Sequence, residues 1–180
     1  DHESAHIRET DFETLRKANL TPFQHNLFNI LEDWRIEERL SARYPGCREN
    51  FRHLIQKLFG TQKAGDTNPA FSILNTILLT VRSWSVNAII PRRESVAKTM
   101  ERHYPGLRKA LDGILDRVRD SCKDTEECIR YALELEQATL AWSLEQKSIT
   151  EPEKEDSGAA QDESVASSNA SLDSLEKAVG

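Results

Sequence analysis

Apolar residues return every three or four positions along most of this chain and seldom every second position, the period of amphipathic helices. Phe12, Leu15 and Ala18 keep it in a first helical stretch over residues 1–18, with a break near Thr10-Asp11. Asn19-Leu20-Thr21-Pro22 is a boundary: Thr21 suits an N-cap, and Pro22 suits the first helical position, where a missing N–H costs nothing. From Pro22 to Arg43, Phe23, Leu27, Ile30, Leu31, Trp34 and Leu40 fill much of one face. Tyr44-Pro45-Gly46 ends that helix, because proline cannot continue it and glycine favours a turn. A further helix over Arg48–Phe59 carries Phe51, Leu54, Ile55, Leu58 and Phe59, and stops at Gly60.

Beyond a polar loop at 61–68 comes the most apolar stretch, 69–88, with Phe71, Ile73, Leu74, Ile77, Leu78, Val81, Trp84 and Val86. Its composition predicts the central, most buried helix, ended by Pro91. Amphipathic helices follow over Arg93–His103 and Leu107–Val118, separated by Tyr104-Pro105-Gly106. Asp124-Thr125-Glu126-Glu127 has the form of a capping box and opens a last helix that runs to Gln146. Tyr-Pro-Gly at 44–46 and at 104–106 reads as one helix–helix turn used twice rather than as an internal repeat. The β-branched residues fall inside helical periods, so the fold class is all-α, a bundle of six to seven helices. From Ser148 onward Glu, Asp, Ser and Ala dominate and aromatics vanish. Residues 1–147 therefore form the domain and 148–180 a disordered acidic linker, in which Leu172, Leu175 and Val179 outline a nascent helix.

Composition narrows the function classes. A length of 180 residues fits one domain with a tail, and a net charge of −6 argues against nonspecific nucleic-acid binding. The longest apolar run, Ile73 to Val86, is broken by Asn75, Thr76, Arg82 and Ser83, so no membrane span is expected. Cys47, Cys122 and Cys128 form no C-x-x-C pair, and their odd number suggests no disulfide framework; a reducing, cytoplasmic setting follows. The sequence shows no signal-peptide pattern and opens inside its own motif, which predicts a fragment or a processed chain with residues upstream.

That motif is His2-Glu3-Ser4-Ala5-His6, the H-E-x-x-H of zinc metallopeptidases. Positions i and i+4 share a helix face, so His2 and His6 can grip one metal while Glu3 reaches a water in its open position as general base. The competing reading is a polar N-terminal helix whose histidines face solvent. A third ligand is needed, and the acidic helix supplies candidates in Glu32, Asp33 and Glu37. Glu32 and Asp33 flank apolar Leu31 and Trp34, so at least one carboxylate is drawn inward, where it requires a metal or a cation such as Arg35. Glu32 is favoured as third zinc ligand, with Asp33 and Glu37 as carboxylates that hold a ligand histidine through its other nitrogen. The alternative is a solvated face patterned by Glu32–Arg35 pairing. His25, a turn before Asn29, could line the same cleft; His53 and His103 have no companions at ligand spacing, and Trp84 and Trp142 read as core.

Taken together, His2-Glu3-Ser4-Ala5-His6, Thr10-Asp11-Phe12, Phe28-Asn29-Ile30-Leu31-Glu32-Asp33-Trp34-Arg35-Ile36-Glu37 and Arg43-Tyr44-Pro45-Gly46 resemble the CobT-like, or cobaltochelatase-subunit-like, proteins of bacteria, phages and mobile elements. The resemblance covers residues 1–147, and the acidic tail matches that family's linker position. It implies a helical region preceding a von Willebrand factor A domain, and a MoxR-type AAA+ ATPase as partner. No D-x-S-x-S run of such a domain occurs in the sequence. The retained H-E-x-x-H favours a zinc-site relative acting on a peptide or protein. The alternatives are a non-catalytic adaptor for the ATPase and a cobaltochelatase component of cobalamin biosynthesis.

Overall fold

Four helix starts are fixed by side chains that take up free N–H groups of the first turn. The Asp11 carboxylate accepts from the amides of Glu13 and Thr14, both at 3.0 Å. Those bonds, chiefly the one from Thr14, hold its carboxyl below the ordinary aspartate value. Thr21 and Gln24 cap reciprocally: the Gln24 amide donates to Thr21 Oγ1 at 3.3 Å and the Thr21 amide to Gln24 Oε1 at 2.8 Å. Asn68 accepts from the Ala70 amide at 2.9 Å. At the fourth start the Glu127 amide donates to Asp124 at 2.9 Å, but the Glu127 carboxylate reaches back to the Lys123 amide at 2.6 Å, one residue earlier than in a standard capping box.

The computed structural model describes residues 1–60, 68–150, 172–177 and 179. Among them lie α1 (His2–Glu9), α2 (Phe12–Ala18), α3 (Pro22–Arg43), α4 (Pro45–Phe59), α5 (Pro69–Ser83), a 3-10 turn (Asn87–Ile89), α6 (Ile90–His103), α7 (Leu107–Ser121) and α8 (Thr125–Thr150), with no strand. The chain is all-α, as its periodicity predicts, and the break at Thr10-Asp11 separates α1 from α2. Pro91 does not end an element; it lies in the first turn of α6, where proline is tolerated. The two Tyr-Pro-Gly segments begin alike and then diverge. In each, the tyrosine amide bonds back at 2.7 Å, to Leu40 or to Met100. Pro45 then starts α4 directly, whereas Gly106 takes φ 82°, a left-handed conformation suited to glycine, before α7 begins.

The central helix is α3, not the more apolar α5. It packs against α1, α4, α5 and α8 and divides two hydrophobic cores. Its N-terminal half, with Phe23, Leu27, Phe28 and Leu31, joins α5, α7 and α8 in the larger core. Its C-terminal half, with Ile36 and Leu40, joins Ala5, Phe51, Ile55, Leu79, Val86 and Ile89 in the smaller one. Amphipathicity explains the exchange of roles: α3 is contacted on several sides, so polar residues in its middle are buried as well, and a ranking by apolarity overlooks them.

The acidic segment 151–171 lies outside the described residues. Residues 172–177 are helical, and Leu172, Leu175 and Val179 are buried in the larger core, which extends the short apolar pattern of the sequence into packing. Lys147 of α8 bonds Asp173 at 2.5 Å and Glu176 at 2.7 Å, and Ser143 bonds Glu176 at 3.2 Å. Helix α8 accordingly continues to Thr150, past the predicted Gln146.

Candidate metal centre

An eight-residue helix such as α1 is unstable alone, so its position is set by docking. Asn50 of α4 donates to Asp1 at 2.7 Å; Ala5, fully buried, sits in the smaller core; and Arg35 Nη2 donates to the Glu9 carbonyl at 2.7 Å at the other end. The small Ala5 side chain lies between the two histidines in sequence and lets α1 approach α3. His2 and His6 are thereby brought together as their spacing predicts, with ring centroids 4.8 Å apart and ring planes at 85°.

Asp33 joins them. His6 Nε2 lies 3.2 Å and His2 Nε2 3.8 Å from Asp33 Oδ1, and the three residues could hold one metal ion. The other nitrogen of each ring is occupied elsewhere. His2 Nδ1 meets Glu37 Oε1 at 2.9 Å, and His6 Nδ1 meets Thr10 Oγ1 at 3.1 Å. The Thr10 hydroxyl donates onward to Glu32 Oε1 at 2.8 Å, so it accepts from His6 Nδ1–H. In the neutral ring, His6 Nε2 then carries the lone pair and faces a carboxylate oxygen that also only accepts. A contact of this kind is satisfied by a proton on Nε2 or by a metal ion between the two atoms.

Arg82 braces the carboxylates from behind. Its Nη2 donates to Asp33 Oδ2 at 3.0 Å and its Nη1 to Glu37 Oε2 at 2.6 Å, which leaves Oδ1 and Oε1 for the histidines. Its Nε is buried without a hydrogen-bond partner. Burial pushes the Glu37 carboxyl above its ordinary value, against the charge of Arg82 and the bond to His2, with Asp33 adding to the rise. Glu37 also forms part of the wall of a cleft of about 190 Å³ that includes Arg48, Phe51, Arg52, Trp84 and Val86.

Glu32 stands apart from the histidines. It is fully buried, and both its oxygens are taken: Oε2 by Arg35 Nε at 2.9 Å, and Oε1 by Arg35 Nη2 at 2.6 Å, Thr10 Oγ1 at 2.8 Å and Thr125 Oγ1 at 2.9 Å. Burial alone would raise its carboxyl, but the bonds and charge of Arg35, with Thr10, outweigh it and hold it below the ordinary glutamate value. The geometry thus sets Asp33, rather than Glu32, beside the two histidines and leaves Glu32 in an ion pair. That pair is buried rather than on a solvated face.

Glu37 Oε1 lies beside the Nδ1 of His2, whereas Asp33 faces the Nε2 atoms. Glu3 is exposed and has no hydrogen bond or ion pair among the described residues. His25 is exposed, bonds Asn29 at 3.1 Å and takes no part in the cluster; His53 and His103 are exposed as well. Sequence reasoning missed Arg82 and Thr10. Arg82 carried a usable signal, since a lone arginine within the most apolar helix must meet a buried carboxylate. Comparison with family models, with curated proteins and with solved structures finds no match.

Proposed function

We propose that this chain binds a zinc ion through His2, His6 and Asp33. The observation that carries the reading is the convergence of two Nε2 atoms on Asp33 Oδ1 at 3.2 and 3.8 Å, with each Nδ1 held by a separate oxygen. Zinc bound at ~2.0 Å to each of its donors sets neighbouring donors roughly 3.3 Å apart; the two histidine–aspartate separations are near that value, and all three donors lie within 4.8 Å of one another. Nitrogen and carboxylate donors also suit zinc better than calcium or magnesium, which prefer oxygen alone. When bound, zinc would supply Lewis acidity toward a substrate carbonyl. Glu37 and Thr10 hold the outer nitrogens of the two rings, Arg82 keeps two carboxylates close together, and Glu3, next to His2 in sequence, would be the base on this reading. The cleft beside Glu37 offers room for a side chain of a peptide substrate.

The resemblance to CobT-like proteins supports the same reading and adds a MoxR-type AAA+ ATPase as partner. A second reading, that of a non-catalytic adaptor for that ATPase with a structural metal, is favoured by the exposure of Glu3 outside the hydrogen-bonded cluster.

Metal analysis and calorimetric titration with zinc test the proposal. Stoichiometric zinc is expected in the wild type and in Glu3→Gln, and its loss in His2→Ala, His6→Ala and Asp33→Ala. Equal zinc retention in those three variants, or no binding to the wild type, would sink it. Hydrolysis of a peptide library separates the two readings: the peptidase reading requires activity that Glu3→Gln abolishes while zinc stays bound. Corrin-dependent ATP hydrolysis with an ATPase partner would point to a cobaltochelatase component instead.

A further inference from the structure

Two of the three cysteines lie together at a junction that the metal centre does not use. Cys122 closes the C-terminus of α7, its amide bonded to Val118 at 3.0 Å, and Cys128 sits in the first turns of α8, its amide bonded to Asp124 at 3.1 Å. Their sulfurs are 3.1 Å apart, about 1 Å more than a disulfide bond of ~2.05 Å. The Asp124 and Glu127 caps fix the turn between them. Cys128 is fully buried and Cys122 half-buried, so a small reagent reaches Cys122 first. Among the described residues no third metal-ligating group closes on the two thiols, which sets them apart from the histidine cluster.

We propose that Cys122 and Cys128 are an oxidation site, converted by a hydroperoxide to an intramolecular disulfide. In the first step the Cys122 thiolate attacks the O–O bond. It becomes a sulfenic acid, and the peroxide leaves as an alcohol or, from hydrogen peroxide, as water. In the second step the Cys128 sulfur attacks Cys122 Sγ; the S–S bond forms, the S–O bond breaks, and the departing hydroxide takes the thiol proton as water. The two thiols together lose two electrons and two protons, and the O–O bond accepts them. A proximal pair of this kind fits a reducing compartment, where disulfides are transient and serve sensing.

The surroundings give the bond a route to the rest of the molecule. Cys128 lies one turn beyond Thr125, which donates to the buried Glu32 carboxylate. The neighbouring Cys122, then burial, then the nearby charge of Glu32 raise the Cys128 thiol well above the ordinary range; with the greater exposure of Cys122, this assigns the first attack to Cys122.

The test treats the whole chain with hydrogen peroxide in the presence of a chelator, quenches, alkylates in denaturant and digests with trypsin without reductant. Expected are loss of the alkylated forms of Cys122 and Cys128 together, a product joining Asp120–Lys123 to Asp124–Arg130 at a mass lower by two hydrogens, its disappearance on reduction, and unchanged alkylation of Cys47. In Cys128→Ser, a near-isosteric change, Cys122 should accumulate as a sulfenic acid captured by a cyclic dione, at several times the wild-type yield. Peroxide-treated wild type in which Cys122 is over-oxidised while Cys128 remains alkylatable, or in which Cys122 is linked to Cys47 or to a second chain, would overturn the proposal.

Discussion

Glu32 and Asp33 are neighbours in sequence on one helix, yet the middle of α3 uses them in opposite ways. Glu32 is sealed: four hydrogen bonds from Arg35, Thr10 and Thr125 occupy its oxygens, and none of its surface meets solvent. Asp33 is partly open, with one oxygen fixed by Arg82 and the other facing two imidazole nitrogens that already have partners on their far sides. The first carboxylate has every donor it needs within the sealed network; the second meets two imidazole nitrogens, where the proposed metal would sit. What separates the two carboxylates is therefore neither residue charge nor position along the helix. It is whether the lone pairs are satisfied from within.

The strongest way to break that contrast is to unpair the sealed side. Glu32→Gln leaves the Arg35 guanidinium buried without a counter-charge, and a loss of about 3–5 kcal/mol in unfolding free energy is expected, measured by chemical denaturation with a chelator present. Replacing Glu32 and Arg35 together by methionine should recover part of that loss, because neither charge then needs pairing, although Thr10 and Thr125 lose their acceptor. A single substitution costing no more than an exposed salt bridge would show that the pair is not structural.

The same pair sets a pH dependence whose sign can be worked out. The folded-state carboxyl of Glu32 is held below its ordinary value of 4.5, so the unfolded chain binds the proton more readily. Its stabilising contribution is fully present above pH 4.5 and is lost as pH falls from there through the lower folded value. Denaturation midpoints followed downward from neutral pH should fall less steeply in Glu32→Gln than in the wild type over that acid range. Parallel curves would remove Glu32 from the acid sensitivity of the fold.

Much of this architecture can be read in the sequence because local rules suffice for it. Thr21-Pro22, Asn68-Pro69 and the apolar period of residues 22–43 fix helices without knowledge of the rest of the chain. The i, i+4 spacing of His2 and His6 also belongs to one helix and leads directly to paired rings. The choice between Glu32 and Asp33 is different. On a helix the side chains of positions 32 and 33 point about 100° apart, so choosing between them requires the orientation of α3 against α1, a tertiary quantity. The orientation is settled by residues far away in sequence. Thr125 claims the Glu32 side, which the local Arg35 also holds, and Arg82, on α5, claims the side of Asp33 and Glu37. The hub role of α3 was hidden for the same reason, since its polar residues gain burial only from the helices around it.

Thr10 is the one side chain that touches both regions, and it provides the finest test of their separateness. It accepts from His6 Nδ1 and donates to Glu32 Oε1. Thr10→Val keeps the shape and removes the relay. Glu32 retains three of its four bonds, those from Arg35 and Thr125, so stability should fall only by about 1 kcal/mol, the typical net worth of one hydrogen bond. His6 loses the partner that fixes its tautomer, and the zinc affinity defined by the titration above should weaken by roughly 10–100-fold, as for other groups that orient a ligand histidine. Thr10→Ser restores the hydroxyl and should restore the affinity. If Thr10→Val lowers stability as much as Glu32→Gln and leaves zinc binding intact, Thr10 belongs to the sealed network alone, and the tautomer of His6 is set by something other than its Nδ1 partner.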